Sequence, residues 1–332
     1  MRVLEHAPTM GLPDQRVAVC GDWHGNVGWA RTVARVLPYL APDVTTLLHL
    51  GDWSMPQDEV DEVFAETDID RIFVTLGNHE PWDRISPLLD ANPGRAVRVS
   101  QLTWLLPRPA RLTIGGRRVL SLGGAASVDR DSRIEGLTWW PDEAITDEHV
   151  AEAIAGGPAD LMLTHEGPAG TPVLPVRELL RTNPHHFPEA ALKASSTSRA
   201  RVSEVWDAVR PELLAHGHMH VPAGGITDDG RRVASLGRDG QEGNLALLDM
   251  ATLKMATPSL AVIRGMTERA DIDRDWRIRN VAESLHDATL DGLKPSPQAL
   301  RDAQDYVDGR RSLDQILEDV RRRHTRNHED EL

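Results

Sequence analysis

The 332-residue sequence predicts a mixed α/β body followed by a small helical appendage. Three observations predict it. Over residues 16–248, short apolar runs repeatedly break into a cluster of glycine and polar residues. The intervals between several of those runs have the patterning of helices. From about Thr267 the texture changes to charged segments with apolar residues at helical spacing.

Taken in order, Arg16–Cys20 runs into Gly21-Asp22-Trp23-His24, Thr45–Leu50 into Gly51-Asp52, and Arg71–Leu76 into Gly77-Asn78-His79-Glu80. Val119–Leu122 ends at Gly123-Gly124, Asp160–Leu163 at Thr164-His165, and Leu213–His216 at Gly217-His218-Met219-His220. Nearly continuous apolar runs of this length suit strands covered on both faces. Helices are expected at Gly28–Leu40, Asp58–Glu66 and Thr146–Ala155, and further strands at Arg232–Leu236 and Asn244–Asp249. Alternation of this kind gives a sheet whose strands end at a common rim, where sites usually form. Residues 166–200, with five prolines and the run Ser195-Ser196-Thr197-Ser198, read as a long excursion holding one short helix.

The tail divides at residue 267, giving a body over 1–266 and an appendage over 267–332. Asp271–Asp287 carries Trp276, Val281 and Leu285 at helical spacing, and a break is expected at Gly292–Pro297. Ser296-Pro297 then supplies a cap and a first-turn proline. Ser312-Leu313-Asp314-Gln315 has the form of a capping box opening a last helix through Leu317 and Val320.

Composition narrows the function. With 40% hydrophobic and 27% charged residues, the chain reads as a soluble globular protein. No apolar run approaches the roughly 20 residues needed to span a bilayer. The first residues lack the pattern of a secretion signal, so the expected location is cytoplasmic. The single cysteine, Cys20, excludes an internal disulfide framework and a cysteine-based zinc site. A net charge of -14 argues against bulk nucleic-acid binding, which depends on lysine and arginine neutralising phosphates.

Seven residues of metal-ligand type sit at the predicted strand ends: Asp22, His24, Asp52, Asn78, His165, His218 and His220. All offer oxygen or nitrogen, a set that suits divalent manganese, iron, cobalt, nickel or zinc. Singly, each has an ordinary structural reading: Asp22 or Asp52 as a helix cap, His165 as a hydrogen-bonded core histidine. Their joint placement is what points to metal.

Gly21-Asp22-x-His24-Gly25-Asn26, Gly51-Asp52, Gly77-Asn78-His79-Glu80, His165 and Gly217-His218-x-His220 resemble the motifs of the calcineurin-like metallophosphoesterases, in that family's order. The resemblance covers roughly residues 16–250 and implies a four-layer αββα sandwich. It implies that Asp22, His24 and His220 bind one divalent metal ion, that Asn78, His165 and His218 bind a second, and that Asp52 bridges both; manganese is the expected metal. It further implies hydrolysis of a phosphomonoester or phosphodiester by a hydroxide bridging the two ions, with His79 as the acid that protonates the leaving oxygen.

Other residues keep two readings. Asn26 either caps the first helix or touches phosphate. Trp23, Trp53 and Trp82 either wall the site or pack ordinarily. Glu80 is expected to bind backbone or orient His79, His49 to pack in its strand, and His185-His186 to lie in a solvated loop. Arg130 and Arg133 are candidates for substrate contact. Protein serine/threonine phosphatases of this superfamily carry Asp-Arg-Gly after the second motif, where this chain reads Trp53-Ser54-Met55-Pro56. The acidic partner of the catalytic histidine and an adjacent arginine are therefore missing at that place, which leaves open what orients His79.

Lys294–His324, notably Ala303-x-x-Tyr306-Val307-x-Gly309-x-x-Ser312-Leu313, resembles the VbhA type of antitoxin. A second functional reading follows: a catalytically weak metallophosphoesterase-fold scaffold that binds a protein partner through its helical tail.

Overall fold

The computed structural model describes residues 1–290 and 294–329, and the side chains of all of these but 283, 286–290 and 324–329. Two sheets form the body. The first has eight strands in the order Glu5–Ala7, Ala96–Arg98, Thr103–Leu105, Arg71–Val74, Thr46–His49, Arg16–Cys20, Leu245–Asp249 and Lys254–Ala256. Its centre is parallel, and Leu245–Asp249 runs antiparallel beside Arg16–Cys20. The second has seven strands, with Arg117–Leu122, Leu161–Thr164, Leu213–His216 and Arg232–Ser235 parallel at its heart.

Side-chain alternation explains why these strands read as unbroken apolar runs. Along Arg16–Cys20, Val17 and Val19 face the second sheet, in one cluster with Leu112, Val119, Leu161 and Leu213. Ala18 and Cys20 face outward onto helices, in a cluster with Ala30, Val33 and Phe64. In the second sheet Leu161 and Leu163 point inward, whereas Met162 joins Val150, Val202 and Val205 in the third cluster. Both faces of each central strand are thus buried, so no polar alternation is selected. Helices cover each outer face, giving the expected αββα sandwich.

The helices Val27–Leu40, Gln57–Phe64 and Asp147–Ala155 lie where the sequence places them. The excursion over 166–200 differs from expectation, because it holds two helices, Leu174–Thr182 and the start of the 21-residue Glu189–Val209. The serine run lies inside the second of these. Ala191, Ser195, Ser198, Val202, Val205 and Val209 fall at three- and four-residue steps and are buried, so small serines form part of the packing stripe rather than a loop.

The tail begins as one 31-residue helix, Leu260–Leu290, that runs without interruption across residue 267. Ile263 near its start is buried in the first outer cluster, and further along Arg35 pairs with Asp271 at 2.8 Å and the Tyr39 hydroxyl donates to Asp273 at 3.1 Å. Part of the break expected at Gly292–Pro297 lies outside the described residues. Ser296 caps Pro297–Val307 by accepting from the Ala299 amide. Ser312 and Gln315 form the reciprocal capping box at the start of Leu313–Glu329. Buried Asp302 ties these two helices together, accepting from Arg311 at 2.9 Å and Arg323 at 2.6 Å. Among the described residues, no helix is long and apolar enough to cross a membrane.

Candidate metal centre

All seven residues singled out in the sequence meet at one rim between the sheets. One group comprises Asp22, His24, Asp52 and His220, and a second comprises Asp52, His165 and His218; within each group the donor atoms lie within 4.8 Å of one another. Asp52 is common to both. Its Oδ2 lies 3.4 Å from His24 Nε2 and its Oδ1 3.3 Å from His165 Nε2. Asp22 Oδ2 is 3.1 Å from His220 Nε2. Asn78 joins the second group through its Oδ1, 2.9 Å from His165 Nε2.

The donor atoms are aimed by what holds the other end of each side chain. Asn78 donates its Nδ2 to Ser127 Oγ at 3.0 Å, which leaves Oδ1 facing the centre. His165 Nδ1 lies 2.7 Å from the Leu50 carbonyl, so that nitrogen carries a proton and Nε2 is the one turned to the centre. His24 turns Nδ1 toward Asp239 at 3.6 Å, a carboxylate that also accepts from Asn26. His218 Nε2 is buried and has no hydrogen-bond partner among the described residues. Orphaned donors and acceptors this deep are uncommon unless something else satisfies them.

Backbone conformation and the preceding glycines make the convergence of the donors sterically feasible. His24, Asp52, His218 and His220 have φ of 47, 50, 67 and 53°, in the left-handed region that non-glycine residues seldom occupy. Such strain collects at functional sites. A Cβ at Gly217 would come within 2.1 Å of Asp22 Oδ1, and one at Gly77 within 2.2 Å of Asp52 Oδ1. Gly77 and Gly217 thus leave room for carboxylates from neighbouring strand ends, as Gly51 does for the His165 ring and Gly21 for the Gly237 carbonyl. Gly217→Ala is expected to lower stability by about 2 kcal/mol, as overpacking does, and to reduce manganese binding. Thermal unfolding and equilibrium dialysis check both effects.

The two buried carboxylates of Asp22 and Asp52 dominate the electrostatics of the centre. Burial lowers the His165 pKa, but Asp52 and Asp22 outweigh it and raise the value to about 10. His218 is different: burial and the neighbouring His165 hold it well below the ordinary histidine range, as a neutral imidazole able to ligate. The nitrogen and oxygen donors, the inward-facing His165 Nε2, the buried His218 Nε2 without a hydrogen bond and the two buried aspartates all fit a pair of divalent cations.

Glu80 clasps the second and third motifs, accepting from the amides of Trp53, Ser54 and Gly77. His79 is anchored by its own amide, which donates to Asp52 Oδ1 at 2.7 Å, and by its carbonyl, which accepts from Ser54 Oγ. Its Nε2 lies 3.6 Å from Asp129 Oδ2. Asp129 comes from the segment after Gly123-Gly124, and Arg133 from the same segment sits 3.9 Å away. An acidic residue thus faces His79, with an arginine behind it, from a segment other than the one after the second motif. Burial lowers the His79 pKa and Arg133 adds to this, while Asp52 and Asp129 oppose it; the net shift is downward.

The remaining candidates separate cleanly. Asn26 is a helix cap, accepting from the Trp29 amide. Trp23 and Trp53 stack at 5.3 Å with His49 edge-on to both, so all three are packing groups, although Trp53 also borders the cavity beside His79. Trp82 is buried under the Arg108 guanidinium. His185 and His186 are exposed. Arg133 lines the cavity beside His79, whereas Arg130 stacks on Trp139 at 3.7 Å and pairs with Glu135. Sequence reasoning missed Asp129, Asp239, and Asn244, which accepts from the indoles of Trp23 and Trp29. These are single polar residues in loops, and no local pattern announces them.

The Antitoxin VbhA family model matches residues 277–323. No curated protein matches the chain. Similar solved structures include TT1561 of Thermus thermophilus, at 11% identity over 74% of this chain and 98% of that one, with a TM-score of 0.45. They also include a dimetal phosphatase from Danio rerio, at 10% identity over 74% of this chain and 96% of that one, with a TM-score of 0.47. The calcineurin-like phosphoesterase model matches residues 15–222, a stretch that holds all seven residues of the centre, and the chain belongs to that family.

Proposed function

We propose that the protein hydrolyses a phosphomonoester or phosphodiester at a dinuclear centre held by Asp22, His24, Asp52, Asn78, His165, His218 and His220, with manganese as the metal. The observation that carries this is the position of Asp52, whose two carboxylate oxygens face the two donor groups separately. A shared carboxylate is what two adjacent cations need to screen their repulsion. When bound, such a pair neutralises charge on the phosphoryl oxygens and provides a nucleophile at neutral pH.

The chain's own residues supply the rest. His79 borders both the centre and the cavity, so it can protonate the oxygen that leaves. Asp129 faces its Nε2 and favours the protonated ring, while Arg133 holds Asp129 in turn. Arg133 also donates to Ser127 Oγ at 2.8 Å, and that hydroxyl accepts from Asn78 and donates to Glu143 at 2.7 Å, so Arg133 stands between Asp129 and the second donor group.

Hydrolysis of p-nitrophenyl phosphate and bis-p-nitrophenyl phosphate, with manganese, nickel, zinc or chelator, tests the proposal. Turnover that requires metal supports it, and the ratio of the two rates assigns the ester class. No turnover from protein carrying two ions per chain would sink it.

A second role for the tail rests on the antitoxin match at residues 277–323. Leu313 and Leu317 are exposed on the last helix, a surface suited to a protein partner. Pulldown with wild type and with Leu313→Asp/Leu317→Asp tests this; equal recovery of every protein from both would remove the idea.

A further inference from the structure

Beside His79 a cavity of about 630 Å³ extends away from the metal centre. Its size lies in the range of small-molecule sites. Met55, Pro56, Pro81, Leu105, Leu137 and Trp140 give it largely apolar walls, with Gln57 and Thr138 as neutral hydrogen-bonding groups.

Its acidic and arginine side chains balance, Glu80 and Asp83 against Arg84 and Arg133. Arg133 donates to Ser127 Oγ at 2.8 Å and faces Asp129 and Glu143, each at 3.9 Å. Arg84 lies out toward solvent, 3.9 Å from Asp83. Glu80 is occupied by three backbone amides. The lining therefore has no surplus positive charge for a second phosphate or a carboxylate.

The outer wall is a hydrogen-bonded turn. The Trp139 amide donates to the Ile134 carbonyl and the Ile134 amide to Thr138 Oγ1 at 2.8 Å. Arg130 covers Trp139 and pairs with Glu135 at 3.2 Å. This braced turn presents Leu137, 65% exposed, at the cavity edge. A large apolar side chain exposed to water at the mouth of a site gains from being covered by what binds there.

We propose that this cavity receives the organic group of the ester, and that this group is uncharged, largely apolar and of aromatic-ring size. The proposal rests on the phosphoesterase reading and adds the substrate class. It sets the protein apart from enzymes acting on sugar bisphosphates or on acidic phosphopeptides, whose extra charges would enter this cavity unpaired.

The test compares binding of 2-phenylethylphosphonate and ethylphosphonate, neither hydrolysable, to manganese-loaded full-length protein by calorimetry. Turnover of the matching 2-phenylethyl and ethyl phosphates is measured in parallel, since their leaving alcohols are similar in acidity. The phenyl compound is expected to bind about tenfold or more tightly, from the apolar area it buries. Leu137→Asp should bring that ratio close to one, and Leu137→Phe should keep it.

Equal binding of the two phosphonates by wild type overturns the proposal, whatever the turnover. So does a preference that Leu137→Asp leaves untouched, including the case in which that variant instead splits a dimer seen by light scattering. A binding preference without turnover of either ester leaves the cavity assignment standing and counts against the phosphoesterase reading alone.

Discussion

Asp52→Asn is expected to lower turnover of p-nitrophenyl phosphate by about a thousandfold, the rate equivalent of about 4 kcal/mol. Asparagine keeps the shape of the side chain and can still accept from the His79 amide. What it removes is the negative charge that both donor groups face. That charge is buried, with Asp52 only 1% exposed, so solvent screens it weakly. Metal retention should fall together with rate, and elemental analysis after dialysis separates the two effects. A variant that keeps two ions and loses activity would assign Asp52 mainly to charge balance in the reaction. Retention of two ions with turnover within a few-fold of wild type would refute the shared-carboxylate geometry.

The same carboxylate shows why so much of the centre was legible in the sequence. Each candidate ligand follows a strand buried on both faces, so apolar runs mark the strands and the first polar residue after each marks the rim. The glycines before Asp22, Asp52, Asn78 and His218 carry a second signal, since a side chain at any of them would collide with a neighbouring strand end. Both signals are local.

Asp129, Asp239 and Asn244 have neither. Asn244 lies more than two hundred residues from the indoles it serves, and only the closed sheet brings them together. The serine run at 195–198 misled for a related reason. Serine suits turns when its surroundings are unknown, yet here its small size lets the stripe from Ala191 to Val209 be buried. Tertiary packing overrode local preference, and single-sequence patterning has no access to that term.

His79→Ala is expected to cost about a hundredfold or more with an alkyl phosphate and much less with p-nitrophenyl phosphate, because a leaving p-nitrophenolate needs little help from a proton while an alkoxide needs a great deal. Metal binding should be unchanged, since the His79 side chain lies outside both donor groups. Asp129→Asn should show the same leaving-group dependence at smaller size, because it removes the partner of Nε2 and leaves the ring in place. Asp129→Glu should recover part of the loss. The pH profile gives an independent reading. Burial holds His79 below the ordinary histidine range, so alkyl-ester turnover should decline as pH rises through that depressed value, while aryl-ester turnover stays nearly level there. Losing Asp129 removes a group that raises the His79 pKa and should move the decline to lower pH. If alkyl and aryl esters suffer equally in His79→Ala, the imidazole acts by binding phosphate and not by protonating the leaving oxygen, and Asp129 then serves only to keep the ring in position.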